Sequence, residues 1–332
     1  MSSVVVEPDI TIAEPGQKKE KDHRYLLFLK GCLSIFLMWW ILKGTNFEDI
    51  FLSMKSASVP LLVCAFCLPF LGYYFSVSRW RILLSAQGIS SKVAYLARSF
   101  IISVFFNNFL PSTIGGDVYR VYDSWRLGAS KASAIAVVFV DRLLGLSALL
   151  VLTLVGMLAA NPFANTIPYL SFWVLGGLAG IAVLGVFLFH SSCSVDFNIL
   201  ERHSKVVRLV LGFANKMISG FSAFRGRTGT LAQAFAVSLL LQGNVVLQYF
   251  VFAKALNFSI PFLNFFLIIP LALFVMMLPI SINGIGLRES VFVLFLSPWG
   301  IDKPDALALA WLAYGSLVIQ GLLGGLLYAS RK

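Results

Sequence analysis

Apolar residues along this chain are gathered into long runs that are separated by short polar stretches. A helix needs about 20 predominantly apolar residues to cross the hydrocarbon core of a bilayer. Six runs approach or exceed that length, at residues 25–42, 59–77, 132–160, 168–189, 231–253 and 306–328. We therefore predict an all-α polytopic membrane protein with about six full spans.

Two further apolar stretches are interrupted before they complete a crossing. Residues 99–110 are too few to span, and a polar break at 111–117 follows them. Residues 261–278 and 289–299 flank a second break of the same kind. We interpret each pair as a re-entrant hairpin, which enters the membrane and leaves it on the same side. Because 261–278 is long enough to cross if it is straight, eight spans is the alternative.

The two breaks carry the same motif, 168 residues apart. Residues 110–120 read LPSTIGGDVYR and residues 278–288 read LPISINGIGLR. Each half of the chain then has the order span, span, hairpin, span. Since three full spans separate equivalent points, the halves should have opposite orientation, which is an inverted repeat. The matching positions are Pro111 with Pro279, Thr113 with Ser281, Ile114 with Ile282, Gly116 with Gly284, and Arg120 with Arg288.

Composition and charge place the chain in a membrane and predict its orientation. Hydrophobic residues make up 58% of the chain and charged residues only 12%, against roughly 25% charged residues in soluble domains. The net charge is +11, and the basic residues are dispersed between spans, as cytoplasmic loops require, so no nucleic-acid partner is predicted. We expect a multi-pass cell-membrane protein with both termini cytoplasmic. The basic clusters are 18–24, 79–98, 120–131, 191–230 and 331–332.

The chain divides into a tail and one membrane domain. Residues 1–23 are polar and lack the apolar core of a signal peptide, so we expect a flexible cytoplasmic tail. Residues 24–332 form a single transmembrane domain with repeat halves at about 24–160 and 168–330. Within the second half, 191–230 reads as a basic amphipathic helix on the inner leaflet. A solvated linker helix packed on the protein is the alternative.

The broken helices suggest a site for an anion. A proline ends a helix, glycines allow a turn, and the following helix N-terminus attracts negative charge. An arginine one turn later adds a fork that suits phosphate. The candidate substrate-binding residues are Asn107, Asn108, Pro111, Thr113, Gly115, Gly116, Asp117, Arg120, Asp141, Arg142, Ser281, Asn283, Gly284, Gly286, Arg288 and Glu289.

Two adjacent charges lie inside the third span. Asp141 and Arg142 point in different directions on a helix, so each should pair with another element. Arg142 could balance Asp117, and Asp141 could balance Arg120. These charges line a pathway or form a structural cluster that holds the bundle together. Asp117, Asp141 and Glu289 are candidate proton carriers, with a structural role as the alternative.

The residues around both motifs resemble a known family. The strings at 107–120, 141–145 and 284–289 are similar to the lysylphosphatidylglycerol synthase transmembrane-region family, which includes the membrane half of multiple peptide resistance factor. The resemblance covers about 25–330 and implies movement of lipids or lipid-linked headgroups between leaflets. It implies membrane lipids with an anionic headgroup as partners, and an enzyme that makes the lipid. Bifunctional members carry an aminoacyl-transfer domain after the membrane part. The residues up to Lys332 do not include such a domain, so we expect no synthase activity.

Other function classes have little support in the sequence. The three histidines lie outside both motifs, and no metal-binding or Walker A signature is present. We therefore predict a lipid flippase or transporter with no cofactor and no enzymatic activity. A membrane-embedded enzyme acting on a lipid-linked substrate and a non-transporting envelope scaffold are the alternatives.

Overall fold

The structure is a computed structural model that describes residues 31–109, 115–159, 170–190, 220–221, 223–278, 280–281 and 283–330. The predicted tail and most of the predicted 191–230 linker lie outside these ranges. Every regular element within them is helical, which confirms the all-α polytopic class. The helices are α1 Gly31–Leu42, α2 Phe47–Lys55, α3 Val59–Ala86, α4 Val93–Phe109, α5 Gly115–Arg126, α6 Lys131–Ala159, α7 Leu170–His190, α8 Thr228–Ala255, α9 Phe262–Met277, α10 Leu287–Leu296 and α11 Lys303–Ala329, with a 3-10 turn at Ser297–Trp299.

Four helices are long and apolar enough to cross a bilayer: α3, α6, α8 and α11. With 27 to 29 residues in each, they extend roughly 40 Å at 1.5 Å per residue. The sequence prediction ended the second span at residue 77, whereas α3 continues to Ala86. Arg79 therefore belongs to the helix and is buried, and it is not part of a basic loop as predicted. The reason is that Arg79 pairs with Asp141 on α6 and Ser238 on α8.

The two predicted hairpins are pairs of short helices. The first consists of α4, with 17 residues, and α5, with 12. The second consists of α9, with 16 residues, and α10, with 10. Within each pair the helices pack on each other, and each is shorter than the about 20 residues of a typical span. This arrangement favours hairpins over the eight-span alternative.

The helices repeat at the same 168-residue offset as the motifs. The counterparts of α3, α4, α5 and α6 are α8, α9, α10 and α11, and their bounds agree within four residues after the offset. Packing repeats as well, since α4 packs on α11 and α9 packs on α6.

The packing of α3 on α8 shows that the two halves are inverted. The Ser58 amide at the start of α3 donates to the carbonyl oxygen of Ala255 at the end of α8. Arg79, near the other end of α3, donates to Ser238 in the first half of α8. These two equivalent helices are therefore antiparallel, as an inverted repeat requires.

Two equivalent glycines allow the hairpins to pack closely on the long helices. A Cβ on Gly156 of α6 would lie 2.5 Å from the Leu267 amide nitrogen of α9. A Cβ on Gly324 of α11 would overlap the Ile101 carbonyl oxygen of α4. Small residues at such crossings let backbones approach in membranes. The glycines are 168 residues apart, so both hairpins are held in the same way.

Candidate functional site

Helices α3, α4, α5, α6 and α8 enclose a polar cavity of about 240 Å³. Its lining includes three arginines and two aspartates, an excess of one positive charge. Charges at this depth are costly, so they normally pair or line a pathway. The charged lining residues are Arg79, Asp117, Arg120, Asp141 and Arg142, and Asn107 and Gln242 are among the polar ones.

Asp141 is the centre of the buried charges. Its Oδ1 accepts from Arg79 Nε at 2.6 Å, and its Oδ2 accepts from Arg79 Nη2 at 3.0 Å. Arg120 Nη1 also donates to Oδ2, at 2.9 Å. The predicted pairing of Asp141 with Arg120 is confirmed. Arg79 was missed because its place at the end of an apolar run suggested a loop, although no glycine or proline separates it from that run.

Arg142 and Asp117 form a second pair between α6 and α5. Arg142 donates from Nε and Nη2 to the two carboxylate oxygens of Asp117, each at 2.9 Å. This confirms the predicted pairing. The Arg142 side chain is 45% exposed and that of Asp117 17%, so the pair lies at the edge of the cavity.

The Arg120 guanidinium is buried against two aromatic rings. Its central carbon lies 4.8 Å from the Trp80 ring centroid and 5.5 Å from that of Phe100. Nη1 donates to Asp141. It also lies 4.0 Å from Asp117 Oδ1, but that carboxylate accepts hydrogen bonds from Arg142. Nε and Nη2 are buried without a hydrogen-bond partner among the described residues. Two donors of this arginine are therefore available.

Arg288 has the same features at the repeat-related position. Its guanidinium carbon lies 4.6 Å from the Tyr314 ring centroid, and Nη2 donates to the Asn283 carbonyl oxygen at 3.3 Å. Nε and Nη1 are buried without a partner within the described ranges. The positions equivalent to Asp117 and Asp141 are Ile285 and Leu309, so the second half has no such carboxylates.

The second motif contacts the end of α4, just before the first motif. Asn283 Nδ2 donates to the Asn108 carbonyl oxygen at 2.6 Å, which joins the second break to the end of α4. Asn108 in turn donates from Nδ2 to the Leu317 carbonyl oxygen of α11. The Ser281 hydroxyl is buried without a partner in the described part of the chain. Pro111 and Thr113 lie outside the described residues.

Gly116 has a packing role in addition to the turn role that the sequence analysis predicted. A Cβ on Gly116 would overlap the Ser103 carbonyl oxygen and lie 2.7 Å from the Asn107 side chain. The Gly116 amide donates to Asn107 Oδ1 at 2.8 Å, so this donor, expected for a phosphate, is already used. Gly115 begins α5 beside it. The space next to Gly116 is therefore occupied by α4.

The second break depends on left-handed backbone. Asn283, Gly284 and Gly286 have φ values of 52°, 77° and 78°, which favour glycine or asparagine. A Cβ on Gly286 would lie 2.7 Å from the Leu37 Cβ of α1. Glu289 is buried, and its carboxylate accepts from the Gly286 amide at 2.8 Å. Glu289 thus caps α10, which supports the structural alternative for this residue.

The cavity gathers only part of the predicted site. Arg288 and the residues of the second break are not in its lining, although Met277 at the end of α9 is. No three His, Cys, Asp or Glu side chains among the described residues are grouped so that they could hold a metal ion. The predicted residues in the lining are Asn107, Asp117, Arg120, Asp141 and Arg142.

Comparisons with known proteins agree with this architecture. The family model described as the lysylphosphatidylglycerol synthase TM region matches residues 27–324. A curated relative described as a UPF0104 membrane protein, from Methanothermobacter thermautotrophicus, is 24% identical over 302 residues. That alignment covers 83% of this chain and 86% of the relative. The chain therefore belongs to the lysylphosphatidylglycerol synthase TM region family, and it is a multi-pass membrane protein.

Proposed function

We propose that this protein is a lipid flippase that moves a phospholipid or lipid-linked headgroup between leaflets, without enzymatic activity of its own. One observation carries the proposal. Arg120 and Arg288 are related by the repeat, both are buried, and each has two guanidinium nitrogens without a partner among the described residues. An anionic headgroup is the ligand that this pair of sites fits.

The chemistry of the two arginines favours phosphate. A buried donor without an acceptor is costly, and that cost is relieved when an anion supplies acceptor oxygens. The guanidinium fork matches two phosphate oxygens, and an aromatic face restrains its plane. Trp80 and Phe100 stack on Arg120, and Tyr314 stacks on Arg288. Each guanidinium therefore packs against an aromatic face and keeps donor nitrogens without a partner among the described residues.

The inverted repeat supports movement across the membrane and not only binding. In repeats of this type, the halves present equivalent surfaces to opposite sides, and the substrate site lies at their interface near the midplane. The contact between Asn283 and Asn108 places the two broken helices together. Arg120 and Arg288 lie on the helices that follow the two breaks. The partners of the protein would be membrane lipids and the enzyme that makes the transported lipid.

Reconstitution into vesicles tests the proposed function. Purified protein would be inserted into liposomes that contain fluorescent phosphatidylglycerol, and dithionite bleaching would measure how much label reaches the outer leaflet. We expect at least a tenfold faster exchange than in protein-free vesicles, and its loss in Arg120→Ala and Arg288→Ala. Arg126→Ala is the matched control, because Arg126 lies on the same helix as Arg120 and is exposed.

The assay distinguishes the competing classes. Mass spectrometry of lipids that copurify with the wild-type protein would identify the headgroup and guide the choice of labelled lipid. If folded Arg120→Ala and Arg288→Ala variants exchange the identified lipid at the wild-type rate, the two arginines are not the site. A wild-type protein that cleaves or modifies the labelled lipid would instead support the membrane-embedded enzyme.

A further inference from the structure

We infer that Arg79 is a positioning residue, which keeps Asp141 neutralised so that Arg120 is free to bind and release an anion. The inference rests on the proposed function, in which Arg120 binds the headgroup. It assigns different roles to two arginines that line the same cavity and share one carboxylate.

Arg79 uses all three of its nitrogens within the protein. Nε and Nη2 bond the two oxygens of Asp141, and Nη1 donates to the Ser238 hydroxyl at 2.9 Å. Ser238 is itself fixed, because it donates to the Ala234 carbonyl oxygen on α8. Arg79 is thus fully engaged and held from two helices. It differs in this from Arg120, which has one bond to Asp141 and two unpartnered nitrogens among the described contacts.

Because Asp141 is shared with Arg79, Arg120 can leave this carboxylate and bind an anion in its place. A buried carboxylate that loses its only cation is strongly unfavourable, so a two-membered pair would resist opening. When Arg120 turns toward an anion, Asp141 retains the bidentate pair with Arg79. Only one hydrogen bond, from Arg120 Nη1 to Oδ2, is then lost, and the anion replaces it. No uncompensated charge is left in the bundle.

Removing Arg79 should therefore trap Arg120. Asp141 is 1% exposed and would have Arg120 as its remaining bonded cation. The guanidinium of Arg120 would then turn to bond both carboxylate oxygens, since this is the geometry that best neutralises a buried carboxylate. Anion binding would fall although Arg79 itself never contacts the anion. Removing the carboxylate in addition should release Arg120 again.

A set of variants separates positioning from direct contact. Binding of dioctanoyl phosphatidylglycerol would be measured by calorimetry in neutral detergent for the wild type, Arg120→Met, Arg79→Met and Arg79→Met/Asp141→Asn. Dioctanoyl glycerol, which lacks the phosphate, would be titrated as the ligand control. Arg81→Met is the matched control on the same helix, because Arg81 is exposed. The melting temperature of each sample would report folding.

We expect Arg79→Met to weaken phosphatidylglycerol binding at least tenfold and the double variant to restore it to within about threefold of the wild type. A folded double variant that binds as weakly as Arg79→Met, or that does not fold, would overturn the inference. If Arg79→Met alone does not fold, the double variant still decides, because rescue then shows that Arg79 is needed only with Asp141. If Arg120→Met binds like the wild type, the proposed function fails instead.

Discussion

At the scale of single residues, burial and partners divide the charges of the bundle into two kinds. Asp141 is buried and shared, so its loss would affect several groups at once. The pair of Arg142 and Asp117 is partly exposed, and Arg120 approaches Asp117 only to 4.0 Å. A pair contributes little to stability where water reaches it, as it can at the edge of a polar cavity. The two salt bridges should therefore respond differently to mutation.

A double-mutant cycle on Arg142 and Asp117 tests this difference. We expect a coupling energy of about 1 kcal/mol or less, because the Arg142 side chain is 45% exposed. Thermal or denaturant unfolding in detergent of Arg142→Ala, Asp117→Ala and the double variant measures it. The corresponding cycle on Arg79 and Asp141 is the comparison and should give a clearly larger value. Equal coupling energies in the two cycles would contradict the assignment of the Arg142–Asp117 pair to the edge of the cavity.

At the scale of elements, the close crossings of α6 with α9 and of α11 with α4 hold the hairpins in place. Membrane helices gain little from burial of apolar surface, so tight packing of backbones is an important source of their association. Gly156 and Gly324 provide this packing, and each faces the backbone of the opposite hairpin. Gly315, on the same helix as Gly324, has open space beside it.

Leucine at Gly324 should separate α11 from α4. A Cβ there overlaps the Ile101 carbonyl oxygen, and this backbone atom cannot move aside without shifting α4. Overpacking of this kind typically costs about 1–3 kcal/mol, so we expect a clearly lower melting temperature in detergent. Gly315→Leu is the matched control and should melt close to the wild type. A Gly324→Leu protein as stable as that control would show that the crossing is not tightly packed.

At the scale of the whole molecule, the inverted repeat brings the second break against the end of α4 across the interface of the halves. The bond from Asn283 to the Asn108 carbonyl oxygen is the direct link between them. If the halves move relative to each other during transport, this contact must change. Fixing it should therefore stop lipid exchange.

A cross-link between the second break and the end of α4 tests that expectation. The four native cysteines would first be replaced, and Asn108→Cys and Asn283→Cys introduced together. A short bifunctional thiol reagent should join the two positions in high yield and abolish exchange in the vesicle assay. Asn283→Cys with Ser330→Cys at the end of α11 is the control pair and should not react. Full exchange by the cross-linked protein would exclude movement at this contact.

Much of the architecture could be predicted from the sequence because a bilayer constrains the pattern of apolar and polar residues along the chain. The hydrocarbon core sets the length of each span, so runs of apolar residues marked the long helices. Backbone groups in lipid must be satisfied within helices, so proline and glycine between short runs marked the breaks. The repeated motif then predicted that the halves are inverted. The pairs of Arg142 with Asp117 and of Arg120 with Asp141 also followed, because a charge inside a span needs a partner of opposite sign.

The packing of the helices in three dimensions sets which side chains share a partner and which, among the described residues, have none. Arg79 looked like a loop residue until α3 was seen to pack on α6 and α8, where Asp141 and Ser238 meet it. Gly116 looked like a turn residue until α4 was seen to fill the space beside it. Arg120 and Arg288 match in the sequence, yet of the two only Arg120 has a carboxylate within 4.0 Å among the described residues. Hydropathy and motif spacing depend on residues along the chain, whereas charge pairing depends on distances between helices, which only packing determines.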